Sequence, residues 1–347
     1  MIRQNLIYSY SLGRGALFLS EMVLLKLFTK IFAGGTSDFN PPKELVNQVR
    51  QSLFDLLKED AKKIEDGVFP LSVLYPESPL SHLKRLPKLF WDGLGIEKRR
   101  SAGRTTVFSD QAKDEAKNKP IYFKRNFHFQ TDGYFSDHSA EIYDHQVEML
   151  FTGAADAMRR MLITEIKKRS GKTDGEGLKI LELAAGSGSS SKFIHMAFPK
   201  TRLTVSDLSE SYLDKAKFRL KAFKNIDYII ADAADLPFRD NEYDVIVCTF
   251  LFHEMPLEVR KQVLKESLRV LKPGGIFAAV DSTQYHDRKE FNVFLEQFPI
   301  EYHEPFYRNY CENPMEDMLR EAPFADVQSR SAFFAKAMSG IKSCASS

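Results

Sequence analysis

The chain holds little cysteine. Among 347 residues there are three, Cys248, Cys311 and Cys344. They lie far apart, without the spacing of a thiolate metal centre, and their odd count excludes a fully paired disulfide framework. All three are expected to be unbridged, in a reducing and cytoplasmic setting. Net charge is nearly absent too: 49 Lys and Arg stand against 47 Asp and Glu, for a formal +2. That gives no support for a nucleic-acid partner, which usually needs a strongly basic face. Repeats and low-complexity tracts are missing. So is an apolar run free of charge: Ala16 to Ala33 comes nearest, but carries Glu21, Lys26 and Lys30. A bilayer span needs about 20 mostly apolar residues, and these charges argue against one. No small-residue cleavage site of a secretory leader follows. The stretch is read as an amphipathic helix packed on its own protein; peripheral membrane-surface contact and an organellar presequence are the alternatives.

What is present reads as globular, with 43% apolar and 28% charged residues and length enough for two domains or one domain with a large extension. Residues 1–135 show helical periodicity broken by turns. Leu45, Val49, Leu53, Leu56 and Leu57 predict a helix over Glu44–Asp66. Pro70, Pro76, Pro79 and Pro87 break up the next stretch, and charged Arg99–Lys119 reads as an exposed loop. Ser139–Lys168 is helical and divided at Gly153. From Leu178 strands and helices alternate. Strands are expected at Lys179–Leu183, Arg202–Ser206, Ile226–Ala231, Asp244–Phe250 and Ile276–Val280, the last after a Lys272-Pro273-Gly274-Gly275 turn. Such alternation favours a parallel sheet covered by helices. Ala325–Arg330 and Ala332–Ala337 lie close enough to form an antiparallel pair at the sheet edge.

The most informative stretch is KILELAAGSGSSS, from Lys179 to Ser191. An apolar run stops at an acid, Glu182, and turns through Ala184, Gly186 and Gly188 into a helix. Glycine allows the positive φ of such a turn and lets the backbone approach a ligand. Asp207 ends the second strand and Asp232 follows the third. At the carboxyl edge of a doubly wound sheet, the first of these suits ribose hydroxyls and the second an adenine amino group. A dinucleotide site wants G-x-G-x-x-G with amides on a pyrophosphate; here Ser191 takes the third glycine's place, and Glu182 would face an anion. That disfavours a nicotinamide oxidoreductase. S-adenosyl-L-methionine carries an ammonium and a sulfonium and no phosphate, so an acid there is favourable. Singly, each residue has a structural reading as well. Asp207 would cap the helix near Glu210 and Asp232 would be solvated in its loop, whereas Glu182 on a central strand is harder to explain that way.

Taken together, ILELAAGSG, LTVSDLSESYLDKAK, ADAADLPF, YDVIVCTFLFHEM and RVLKPGG, within residues 178–281, resemble the core of class I S-adenosylmethionine-dependent methyltransferases. The likeness is nearest to small-molecule members such as the quinone-biosynthesis enzymes. It implies an α/β fold: a doubly wound, mostly parallel seven-stranded sheet, Rossmann-like, with an antiparallel terminal pair and a helical N-terminal extension. Glu182 with the backbone around Ala184, Gly186 and Gly188 would hold the methionine part. Asp207 would bind ribose, Leu208 the adenine face, Asp232 and Ala233 the adenine edge, and Thr249 would sit by the methionine end. Ala184 departs from the family pattern, which often has its first glycine there. The implied division is 1–135, a helical extension serving as lid or substrate cap, and 136–340, the methyltransferase domain. The segment Arg125–Tyr134 (RNFHFQTDGY) is similar to one that precedes the core in some bacterial methyltransferases.

Methyl transfer from a sulfonium needs alignment and exclusion of water above all, and a base adds about 10²–10⁴-fold. His253, in the loop after the fourth strand, is the candidate base; its structural alternative is a pocket-lining hydrogen-bonder. Tyr134, Tyr143 and Tyr307 are candidate contacts to a small, apolar or aromatic acceptor, though aromatic packing is common in a chain with 28 Phe. His286, His303, Glu304 and Cys311 show no compact ligand spacing, so no metal is expected. The rival from another class is a non-catalytic S-adenosylmethionine-binding module whose N-terminal region docks a protein.

Overall fold

The chain gathers into two compact units, Met1–Ala157 with Glu296–Glu304, and Met158–Leu295 with Pro305–Ser347. This computed structural model describes residues 2–34 and 39–344.

In the first unit, α1 (Ile2–Ala33), α2 (Lys43–Glu65), α3 (Pro79–Ser101) and α5 (Asp137–Leu150) carry the packing, with a short α4 (Asp110–Ala116) between. Helix α1 packs on α2, α3 and α5 and begins at Ile2, well before the expected start. Phe18, Leu89, Ile142 and Met149 make a core cluster among α1, α3 and α5. Glu21 does not interrupt the apolar run. Its buried carboxylate accepts from His82 Nε2 at 2.7 Å and His145 Nε2 at 2.8 Å, so both oxygens are hydrogen-bonded inside the bundle.

Two sequence expectations fail here because packing overrides the local signal. Pro79 starts α3 and Pro87 lies inside it without ending it. A proline removes one amide bond, but burial of Arg85 and Leu89 on the inner face holds the helix through it. Arg99–Lys119 is no continuous loop: it contains the end of α3 and all of α4, which buries Ala112 and Ala116 beside Phe135. The break at Gly153 is as expected. Its φ is +76°, and a Cβ there would stand 2.9 Å from Gly15 Cα, so α1 and the turn after Leu150 approach through glycine. Helix α5 packs on α1 and α3 within the first unit.

The second unit is one seven-stranded sheet: β1 (Lys179–Leu183), β2 (Arg202–Asp207), β3 (Ile226–Ile230), β4 (Tyr243–Thr249), β5 (Leu271–Ser282), β6 (Phe324–Ala332) and β7 (Ala335–Lys342), in the order β3-β2-β1-β4-β5-β7-β6. Strands β1 to β5 run parallel; β7 is antiparallel to both β5 and β6. Flanking helices include α6 (Ala155–Ser170), α7 (Ser189–Ala197), α8 (Glu210–Leu220) and α9 (Leu257–Val270); after α10 (Asn292–Tyr302), most of which belongs to the first unit, come α11 (Tyr307–Glu312) and α12 (Met315–Glu321). Ile180, Leu181 and Leu183 are fully buried, each stabilising the sheet by roughly 1.5–3 kcal/mol. Lys272–Gly275 is not a free turn before β5. Leu271 already pairs with Tyr243, and the ladder resumes at Val245 and Ile276, so the KPGG segment is a bulge inside the strand. The strand order reverses between β1 and β4, which places the ligand-binding switch point at their carboxyl ends.

Candidate functional site

The turn leaving β1 is built from left-handed residues: Ala184 (φ 48°), Gly186 (57°) and Gly188 (79°). Gly188 has a second constraint, since an added Cβ would lie 3.0 Å from Ala216 Cβ on α8. Ala184, the departure from the glycine pattern, adopts the glycine conformation nonetheless.

Glu182 is fully buried at the end of β1. Its Oε2 accepts from Ser191 Oγ at 2.5 Å, while Oε1 accepts no hydrogen bond. Burial pushes its pKa up to about 8; the Ser191 bond and Arg159 oppose this, and Asp207 adds to it. A buried carboxyl with one vacant oxygen is costly unless something donates to it. Asp207 ends β2, also buried. Its Oδ2 accepts from the Gly186 amide at 2.7 Å and its Oδ1 from the Ser209 amide at 2.8 Å. Burial raises its pKa to about 6 against these two bonds. Asp207 is not the cap of α8: Ser209 is, accepting from the Tyr212 amide at 3.1 Å. Asp207 instead ties the glycine turn to β2. Asp232 accepts from the Ala234 amide at 2.9 Å in its loop, beside buried Ala233. Leu208 is half-buried, and Thr249 at the end of β4 hydrogen-bonds Ser190 through its Oγ1 at 2.8 Å. The turn, Glu182, Asp207 and Thr249 thus meet at the carboxyl ends of adjacent strands. These residues fit a ligand that donates hydrogen bonds and carries positive charge: Glu182 Oε1 is a buried acceptor with no hydrogen-bond donor, and the Arg219 guanidinium at the turn is engaged by Ser187.

His253 lies in a 3-10 turn, Phe252–Glu254, entered through Phe250 at a left-handed φ of 55°. Its Nδ1 meets Asp281 Oδ1 at 2.5 Å. Asp281, buried at the end of β5, also accepts from the amides of Phe252 (2.7 Å) and Leu251 (3.1 Å), which locks the loop to the strand. A carboxylate accepts only, so Nδ1 carries the hydrogen and a neutral ring keeps its lone pair on Nε2. Burial lowers the pKa of His253, but the Asp281 charge and hydrogen bond, with Glu254, outweigh it and the net direction is upward. Tyr307 stands 5.7 Å away, ring to ring, with its hydroxyl 2.5 Å from Ser282 Oγ. Tyr134 and Tyr143 belong to the first unit, packed edge to face at 5.8 Å, with the Tyr134 hydroxyl 3.2 Å from His128 Nε2.

Sequence reading missed two members. Asp281 closes the apolar run Ile276–Val280, the same signal that singled out Glu182. Ser191 was read only as a missing glycine, yet it is the donor to Glu182.

Comparison with known proteins bears on the same segment. Residues 180–275 match the family model described as a methyltransferase domain. This segment is thus similar to methyltransferase domains over a little more than a quarter of the chain. The ubiquinone/menaquinone biosynthesis C-methyltransferase UbiE of Desulfotalea psychrophila is 31% identical to the chain over 141 residues, 41% of this chain and 54% of the relative. The demethylmenaquinone methyltransferase of Clavibacter sepedonicus is 40% identical over 99 residues, 28% and 39% of the two chains. A solved structure of phosphoethanolamine N-methyltransferase 2 from Haemonchus contortus in complex with S-adenosyl-L-methionine aligns with a TM-score of 0.46 at 14% identity, over 69% of this chain and 61% of that one. The chain spans about half the length of the first curated relatives it matches. The methyltransferase segment holds Glu182, the glycine turn, Asp207, Asp232 and His253; Asp281 lies just beyond it. No helix among the described residues is long and apolar enough to cross a membrane.

Proposed function

We propose that this chain is an S-adenosylmethionine-dependent methyltransferase acting on a small, apolar or aromatic acceptor. The observation that carries this is Glu182: a fully buried acid on a central strand, with a vacant oxygen, above a glycine turn in a segment matching a methyltransferase domain. When bound, the donor supplies a methyl group already activated on a cationic sulfur. Glu182 is proposed to accept from its ammonium and Asp207 from its ribose hydroxyls. Asp232 and Ala233 would meet the adenine edge and Leu208 its face. Thr249 closes the methionine end. Each acceptor position lies on a strand end or a turn fixed by backbone bonds, so little reorganises on binding.

For the acceptor, the curated relatives named for menaquinone and ubiquinone biosynthesis support a quinone-like or phenolic ring. Such a ring reacts faster once a hydroxyl proton is removed. His253, held in one tautomer by Asp281, is proposed to take that proton on Nε2. Tyr134, Tyr143 and Tyr307 are proposed acceptor contacts; their replacement should raise KM for the acceptor and leave donor affinity unchanged.

Isothermal titration with S-adenosylmethionine and with its demethylated product tests the donor site. Absence of binding to both would end the proposal, and Asp207→Ala should weaken both without unfolding the chain. Transfer of labelled methyl to a phenolic or quinol acceptor then separates an enzyme from a binding module: tight donor binding with no labelled product across such acceptors would favour the module.

A further inference from the structure

Helix α1 is apolar on two faces. Its inner face buries Ile7, Phe18 and their neighbours against the bundle. Its outer face presents Leu6, Leu17, Leu24, Leu27 and Ile31 to solvent, at spacings that return to one side of a helix. Globular helices ordinarily carry polar residues on that side. Helix α3 continues the surface. Phe28 packs on Phe90 at 5.1 Å, and an added Cβ on Gly93 would stand 2.8 Å from Leu25 Cδ1, so the two helices touch closely. The outer side of α3 exposes Leu80, Leu83 and Trp91, the last 71% accessible.

The charges on these two helices separate by sign. The acids are buried: Glu21 on α1, and Asp92 and Glu97 on α3. The exposed charges are all cations: Arg3, Lys26 and Lys30 on α1, and Lys84, Lys88 and Lys98 on α3. A chain with a formal net charge of only +2 thus shows, on these two helices, an apolar surface edged by cations. A second copy packed across this face on a two-fold axis would bring like charges together. An anionic lipid surface meets both features at once: apolar side chains enter the headgroup boundary, lysines meet lipid phosphates, and tryptophan favours that depth.

We propose that the outer face of α1 and α3 docks on an anionic lipid surface as a peripheral, non-spanning contact. This surface is independent of the donor site, so failure of either reading leaves the other standing.

Trp91 is the chain's only tryptophan, and its fluorescence reports the contact directly. The full chain is mixed with vesicles of phosphatidylcholine alone, or of phosphatidylcholine with a minority of phosphatidylglycerol. Trp91 emission should shift to the blue and the protein should float only with the anionic vesicles, with binding falling as salt rises. Lys26→Gln with Lys30→Gln should weaken binding roughly thirtyfold, and Leu24→Ser with Leu27→Ser more than about tenfold. All four positions are exposed, and an unchanged far-ultraviolet circular dichroism spectrum confirms that each variant is folded. Unshifted Trp91 emission with both vesicles overturns the proposal, as does equal binding to both. A concentration-dependent dimer in sedimentation that the leucine variant dissolves would assign the face to a second copy instead, and would equally overturn it.

Discussion

Two buried glutamates, one in each unit, face the same physical problem and meet it differently. Glu21 in the first unit has both carboxylate oxygens occupied, by His82 and His145. Burial would raise its pKa, but the two imidazole bonds prevail and lower it. Glu182 in the second unit has one oxygen bonded to Ser191 and the other to nothing, and burial pushes it up to about 8. The first carboxylate has both oxygens satisfied within the protein and serves stability. The second is complete only when something else donates to it. An acid left unsatisfied on a central, buried strand destabilises the ligand-free fold and marks where a cation is to be received.

The sharpest way to break this comparison is to remove each acid. Glu21→Ala leaves two histidines without their shared acceptor inside the bundle. It should reduce unfolding stability by about 3 kcal/mol in urea titration, with no direct effect on donor affinity measured on the folded fraction. A stable variant that loses donor binding would reverse the roles assigned here. Of comparable size, His253→Asn should lower kcat by about 10²–10⁴-fold while donor affinity holds. Asp281→Asn gives the finer readout. The neutral ring of His253 is the active base, so activity rises with pH through its raised pKa. Removing the Asp281 charge lowers that pKa, and the acid limb of the pH profile should move to lower pH. An unmoved limb would reduce His253 to a lining residue.

Glu182→Gln follows in magnitude. The folded pKa, about 8, lies above the ordinary value of an unfolded glutamate, so the native state holds the extra proton between the two. Its contribution to stability is fully present below about pH 4 and is lost as pH rises toward 8. The variant should therefore unfold later than the parent at pH 8 by roughly 2–4 kcal/mol, and the gap should close at pH 5. Donor affinity should fall at the same time. In the parent, donor binding should release a proton at neutral pH, seen as a dependence of the titration heat on the buffer's ionisation enthalpy. A variant that is less stable at pH 8 and binds the donor as before would make Glu182 structural, like Glu21.

Much of the second unit was legible from sequence because its strands are buried on both faces. Ile180–Leu183 and Val245–Cys248 read as apolar runs whatever surrounds them, and acids closing such runs stand out. The partners of those acids were not legible. Ser191 lies on a helix after the turn and Asp281 on a strand far along the chain, so only the sheet order brings each to its neighbour. In the first unit the failures have the opposite origin. Helix α4 buries only alanines, which leave no apolar stripe in a charged stretch, and Pro87 looks like a stop because its packing is long-range. The burial of Glu21 was not legible because His82 and His145 are distant in sequence and adjacent only in the bundle.

The smallest effect tests the turn itself. Ala184 stands at φ 48° where the family pattern often has glycine. A side chain in the left-handed region costs roughly 1–2 kcal/mol, and replacing it with glycine costs about 0.4–1 kcal/mol through the freer unfolded chain. The difference predicts that Ala184→Gly stabilises the protein by about 0.5–1 kcal/mol, readable in urea titration. Glycines replaced by alanine elsewhere in the turn should show the reverse sign, and Gly188→Ala most of all, because its Cβ would also meet Ala216. If Ala184→Gly were instead destabilising, the Ala184 methyl would have to contribute packing that outweighs its backbone strain. The turn would then be shaped by contacts within the protein, as the Glu21 network is, and less by the ligand that Glu182 awaits.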